Sequence, residues 1–126
     1  MIILTVSEII EIHEKLTAAT GGLPGLRDMG LLESAVLGCY QSFDDTELYP
    51  SITEKAARMV YALCKNHPFI DGNKRIAVTA MLMMLRLNGV TLAYSQQELI
   101  SLGLDIADGS FNYEDILGWI NTHLKK

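Results

Sequence analysis

Basic residues are in short supply: ten Lys and Arg stand against fifteen Asp and Glu, for a net charge of -5 over 126 residues. A protein that grips a nucleic acid backbone needs the opposite balance, so DNA and RNA are not expected partners. Cysteine is nearly absent. Cys39 and Cys64 sit on predicted helices without CxxC spacing, which argues against a disulfide framework and for reduced thiols in a core, as in a cytoplasmic protein. No cationic start precedes the apolar residues of "MIILTVSEII", and Glu8 and Glu11 follow at once, so a secretory signal is not expected. The most apolar segment, Ile76 to Leu87, is too short to span a bilayer and contains Arg86, so no membrane role is expected. Repeats, linkers and low-complexity tracts are lacking as well. With 49% hydrophobic and 20% charged residues, the chain suits one compact domain, residues 1–126, with a single core.

What is present reads as helix. Thr5 with Glu8 has capping-box spacing, and Val6, Ile9, Ile10, His13 and Leu16 follow at helical intervals, predicting a first helix from about Val6 to Ala19. "GGLPG", Gly21 to Gly25, ends it. Asp28 caps a short second helix reaching about Cys39. Tyr40 to Pro50 mixes aromatics with acids and has no helical period, so it is read as an exposed loop or short hairpin, the kind of segment that meets partners. Ser51 with Glu54 opens a third helix that ends near Asn66, because Pro68 disfavours helical geometry at His67. Asn73 to Asn88 is apolar nearly all round, apart from a stripe of Arg75, Thr79 and Arg86, and should be the central buried helix. Ser95 with Glu98 and Asn112 with Asp115 start the last two helices. Only "MIIL" and "VTLAY" look extended, and they are expected at most to pair as a two-stranded ribbon beside an all-α bundle.

Between the third and fourth predicted helices lies "HPFIDGNKR", His67 to Arg75. A helix N-terminus after a glycine offers free N–H groups and a positive dipole end to an anion. Lys74 and Arg75 add cations and Asn73 an amide. Asp71 would cap the helix, or hold Mg2+ beside a polyphosphate, since that ion favours one or two carboxylates plus phosphate oxygens. His67, of a residue type that titrates near neutrality, would accept a proton from an incoming hydroxyl. Together these parts describe phosphoryl or nucleotidyl transfer. The same letters also spell an ordinary turn with a capped helix start and two solvated cations.

The segment resembles the Fic/Doc (Fido) family motif H-x-F-x-(D/E)-(G/A)-N-(G/K)-R, which His67, Phe69, Asp71, Gly72, Asn73, Lys74 and Arg75 match position by position. "GGLPGLRDMGLLESAV" is similar to the N-terminal segment of Doc-type (death-on-curing) toxins. The resemblance implies an all-α Fido-fold bundle with the motif in a loop between two central helices. It also implies ATP and Mg2+, with His67 as base, Asp71 as metal ligand, and Gly72, Asn73, Lys74 and Arg75 as the phosphate grip.

Two chemistries compete within the family. Fic enzymes mostly transfer AMP, and typically carry a second glycine and a second arginine where this chain has Lys74 and Val78. Those departures are Doc-like and imply a protein kinase acting on a hydroxyl, by resemblance a threonine of elongation factor Tu, which would stop translation. Gly72 is Fic-like, so AMP transfer remains the alternative, and an inactive Fido-like binding module is a third reading. The inhibitory pattern (S/T)-x-x-x-E-(G/N) of many Fic proteins is missing, as no glutamate here precedes Gly or Asn. Restraint is therefore expected from a cognate antitoxin inserting a helix against the site.

Among other residues, His13 is expected to be a partly buried core histidine with one hydrogen bond, and His123 a solvated one at a helix C-terminus. Lys65 is read as a helix C-terminal cation, Met81, Met83 and Met84 as core fillers, and Trp119 as an anchor of the last helix.

Overall fold

A computed structural model describes residues 1–125. Six α-helices are found among them: α1 (Val6–Thr20), α2 (Met29–Leu37), α3 (Ile52–Asn66), α4 (Asn73–Leu87), α5 (Gln96–Ala107) and α6 (Tyr113–Thr122). One short antiparallel ribbon joins β1 (Ser42–Phe43) to β2 (Thr46–Glu47). The bundle is thus all-α with a two-stranded ribbon.

Local chemistry explains most of the starts. Four helices open on a reciprocal capping box, Thr5 with Glu8, Ser51 with Glu54, Ser95 with Glu98 and Asn112 with Asp115. In each, the N-cap side chain accepts the N–H of the third helical residue, and that residue's carboxylate accepts the N-cap N–H in return. At α2 the Asp28 carboxylate accepts the Leu31 N–H at 3.0 Å. A 3-10 turn, Gly38–Tyr40, carries the chain on from α2.

α3 and α4 form the central helix hairpin. Ala56, Ala57, Met59, Val60 and Leu63 on α3 and Ile76, Ala77, Ala80, Met81, Met84 and Leu85 on α4 are fully buried. Both cysteines are buried and free. α2 and α6 pack on α3, while α1 and α5 pack on α4. No helix among the described residues is long and apolar enough to cross a membrane.

The ribbon is not where the extended-looking segments placed it. "MIIL" forms no strand: the Ile2 backbone instead meets the Asn88 amide at both its N–H and its C=O. "VTLAY" contributes one isolated bridge, Leu92 to Leu124. Both segments cover ends of the core rather than pairing with each other. The ribbon lies in the Tyr40–Pro50 stretch, turning at Asp44 and Asp45, both with positive φ as a tight hairpin requires. Lys55 ties it to α3. Its buried ammonium uses all three donors, on Cys39 O at 3.1 Å, Tyr49 O at 2.6 Å and Glu47 Oε1 at 2.9 Å.

Two side chains also depart from expectation. Met83 is 38% exposed, on the outer side of α4. His123 is mostly covered: it stacks on Trp119, and its Nε2 lies 2.7 Å from Glu98 Oε2.

Candidate active site

The motif occupies the corner between α3 and α4, and the chain before α2 braces it. The Arg27 N–H donates to the Pro68 carbonyl at 2.7 Å, the Asp28 N–H joins it at 3.0 Å, and the Ile70 N–H donates to Gly25 O at 3.1 Å. Leu26 and Phe69 form the antiparallel bridge between the two segments. Phe69 is buried and anchors the loop in the core.

His67 is the C-cap of α3 and takes the left-handed conformation, φ 48° and ψ 56°. Pro68 makes right-handed helix costly there, and a left-handed residue is a common way to end a helix. Such an end leaves carbonyls without partners. The Arg27 guanidinium supplies them, with Nε 2.6 Å from His67 O and Nη2 2.8 Å from Asn66 O. The imidazole of His67 is thereby left at the surface, beside the start of α4.

The Asn73 side chain also braces the loop. Its Oδ1 accepts the Phe69 N–H at 2.9 Å and its Nδ2 donates to Phe69 O at 3.0 Å. The amide oxygen and one amide N–H close the loop, so toward an anion Asn73 has its backbone N–H and its second Nδ2–H to offer. It also does not cap α4. Among the six helices only α4 lacks a side-chain cap, its N-cap being Gly72 at φ 75°. The N–H groups of Asn73, Lys74 and Arg75 precede the first intrahelical bond, Ile76 N–H to Gly72 O at 2.9 Å. They end a helix dipole with its positive pole toward solvent.

Asp71 is exposed, and its carboxylate accepts two backbone N–H bonds, from Leu23 to Oδ2 at 3.1 Å and from Gly72 to Oδ1 at 2.8 Å. The Leu23 bond first, then the Gly72 bond, hold its pKa below the usual carboxylate value, with the Arg75 charge adding to them. Asp71 is therefore ionised near neutrality with lone pairs still free, as a Mg2+ ligand must be. No group of three or more His, Cys, Asp or Glu suited to a metal occurs among the described residues. A metal here would draw its other ligands from phosphate oxygens and water. Gly22 lies against this carboxylate: a Cβ there would stand 2.9 Å from Asp71 Oδ2. Arg75 reaches the same loop, donating through Nη1 to Thr20 Oγ1 and to Gly21 O at 3.1 Å.

All six residues expected at the site, His67, Asp71, Gly72, Asn73, Lys74 and Arg75, line one cavity of about 520 Å³, with Ile70 and Ala107. That lies within the roughly 300–1,000 Å³ of small-molecule sites. Lys74 and Arg75 also border a second, more apolar groove between α1, α4 and α5, lined by Leu16, Val78, Leu99, Ile100 and Leu104.

In the sequence, the residues that brace the motif read mainly as structural: Arg27 and Asp28 most simply cap the second helix, in a loop that could line one side of the cleft. His13 is buried, with its Nε2 2.7 Å from Asp71 O, in keeping with a core histidine holding one hydrogen bond. Arg27 grips the end of α3 rather than merely flanking a cap. The visible signal was the glycine run Gly21, Gly22 and Gly25, all at positive φ, which marks a loop shaped to lie close against something.

Residues 3–85 match the sequence model of the Fic/DOC family. Two curated relatives align over most of their length. A "Toxin Doc" of Mycolicibacterium smegmatis is 39% identical over 90 residues, 69% of each chain. A "Protein kinase doc" of Escherichia phage P1 is 33% identical over 109 residues, 86% of this chain and 85% of the relative.

Proposed function

The chain belongs to the Fic/DOC family, and on that premise we propose that it is the toxin of a toxin–antitoxin module that moves the terminal phosphoryl group of ATP to a protein hydroxyl. The observation that carries this reading is the uncapped start of α4 inside the cavity that holds His67 and Asp71. The names of the two relatives, a toxin and a protein kinase, support it.

In the proposed reaction the nucleotide phosphates lie over the N–H groups of Asn73, Lys74 and Arg75, with the Lys74 ammonium and the free Arg75 donors beside them. Mg2+, held by Asp71, would neutralise charge on the phosphate oxygens. The His67 imidazole takes the proton of the target hydroxyl as its oxygen bonds to the γ-phosphorus. The bond from that phosphorus to the bridging oxygen breaks, and ADP leaves with the electron pair.

The target is proposed to be elongation factor Tu, and the site of action the cytoplasm. A cognate antitoxin is proposed to lay an apolar helix in the groove of Leu16, Val78, Leu99, Ile100 and Leu104, where it would border Lys74 and Arg75. Recovery of the untagged chain from its native operon with no second small protein bound would count against that partner.

The deciding experiment is the intact mass of elongation factor Tu after incubation with this protein and Mg-ATP, with His67→Ala as control. A gain of about 80 Da, absent with the variant, is the expected result. A gain of about 329 Da would mean AMP transfer instead. No gain with any protein hydroxyl, and a His67→Ala chain as toxic as wild type, would leave a binding module.

A further inference from the structure

α1 is distant from the motif in sequence, yet one of its faces runs beneath it. His13 is 1% exposed, and its ring stacks on Phe69 with centroids 3.9 Å apart and planes within 13°. Its Nε2 lies 2.7 Å from the Asp71 carbonyl oxygen. A carbonyl only accepts, so Nε2 carries the hydrogen. That carbonyl belongs to the turn before α4, and the bond from His13 is the contact that meets it from α1. A Cβ on Gly72 would stand 3.6 Å from the same nitrogen. The peptide joining Asp71 to Gly72 is thus held from below by His13, while the Asp71 carboxylate is held by the Leu23 and Gly72 N–H groups.

We propose that His13 is a positioning residue for the site, fixing the Asp71–Gly72 peptide and with it the direction of the Asp71 carboxylate and of the first N–H groups of α4. It acts through the motif and touches neither nucleotide nor target. The inference rests on the functional reading given above. A second contact from the same face of α1 agrees with it. Thr20, seven residues or two helical turns on, accepts from Arg75 Nη1 and donates to Leu16 O at 2.7 Å. One helix therefore steadies both the carboxylate side and the cationic side of the motif.

Two substitutions separate positioning from packing. His13→Phe keeps a ring on Phe69 and removes the donor, whereas His13→Gln gives up the stack and offers an amide N–H close to where Nε2 stands. The ligand-free wild type should show a His13 Nε2–H in 15N-edited NMR that exchanges slowly with solvent. Calorimetry with Mg2+ and a non-hydrolysable ATP analogue should show His13→Phe binding about tenfold more weakly than wild type, the scale of one lost hydrogen bond. Its KM for Mg-ATP should rise by a similar factor with kcat changed less, and His13→Gln should recover most of the affinity. Wild-type affinity in His13→Phe, or a Gln variant no better than Phe, would overturn the proposal. Should His13→Phe not fold, His13→Gln decides alone: affinity within about twofold of wild type supports the role, and a tenfold loss refutes it. A wild type that neither binds nor uses Mg-ATP refutes the functional reading and this proposal together, whereas a competent wild type with an indifferent His13 refutes this one only.

Discussion

Asn73 shows how one side chain can shape the loop that carries a site. Its amide closes the loop on both polar groups of Phe69, which fixes where α4 begins. Replacing it by alanine should therefore cost stability: two bonds are lost and two buried backbone groups are left to find other partners, about 1–3 kcal/mol in all. Urea unfolding of Asn73→Ala against wild type measures this. A midpoint unchanged within error, together with weakened nucleotide binding, would return Asn73 to the role of direct phosphate ligand. The residue identities of the site were legible in the sequence because nine consecutive letters carry them. Asn73's orientation was not, since an amide beside two cations reads equally well as a ligand or as a brace.

At the scale of elements, the helix starts were legible for a physical reason: a capping box is a contact between residues three apart, so Thr5, Ser51, Ser95 and Asn112 announce themselves locally. Pairing between distant segments carries no such local signal, whereas the hairpin at Tyr40 to Pro50, whose strands are neighbours in sequence, was legible as one reading of that stretch. "MIIL" and "VTLAY" have the composition of strands, yet their neighbours are a side-chain amide and the C-terminal segment, and a short apolar stretch serves as core cover as readily as ladder. His123 was misjudged for the same reason, because Glu98 is 25 residues away on the first turn of α5. That pair makes the junction of α5 with the C-terminus pH-dependent. The hydrogen bond to Glu98 raises the His123 pKa above its ordinary 6.5, so its contribution is complete below that value and is lost as pH climbs through the raised one. The hydrogen bond to His123 lowers the Glu98 pKa below its ordinary 4.5, so its contribution is complete above that value and is lost as pH falls through the lowered one. Glu98→Gln keeps a capping box and removes the charge. Thermal melts should show wild type most favoured over Glu98→Gln between pH 4.5 and 6.5, with the gap closing above neutrality. A pH-independent gap would mean that the contact is steric.

For the molecule as a whole, the two thiols report on the core. Burial pushes Cys39 and Cys64 each up to about 11, Cys39 in the turn after α2 and Cys64 on α3 itself. Neither should react with a thiol reagent in the native state at pH 8 except through opening of the bundle, so Ellman labelling should follow the global unfolding curve in urea. Fast labelling of one cysteine in native buffer would show that its part of the bundle opens separately. This scale was the least legible in the sequence, because the contacts that assemble the site span 40 to 58 residues, Arg27 to His67, Leu23 to Asp71 and His13 to Asp71. The uncapped start of α4 has a consequence for anyone selecting hardier variants. Gly72 holds that end in the left-handed region, φ 75°, whereas a capping side chain needs extended backbone, so a single substitution at Gly72 strains the turn rather than hardening the fold. Selection for heat resistance alone would therefore leave that end open, and with it the N–H groups of Asn73, Lys74 and Arg75.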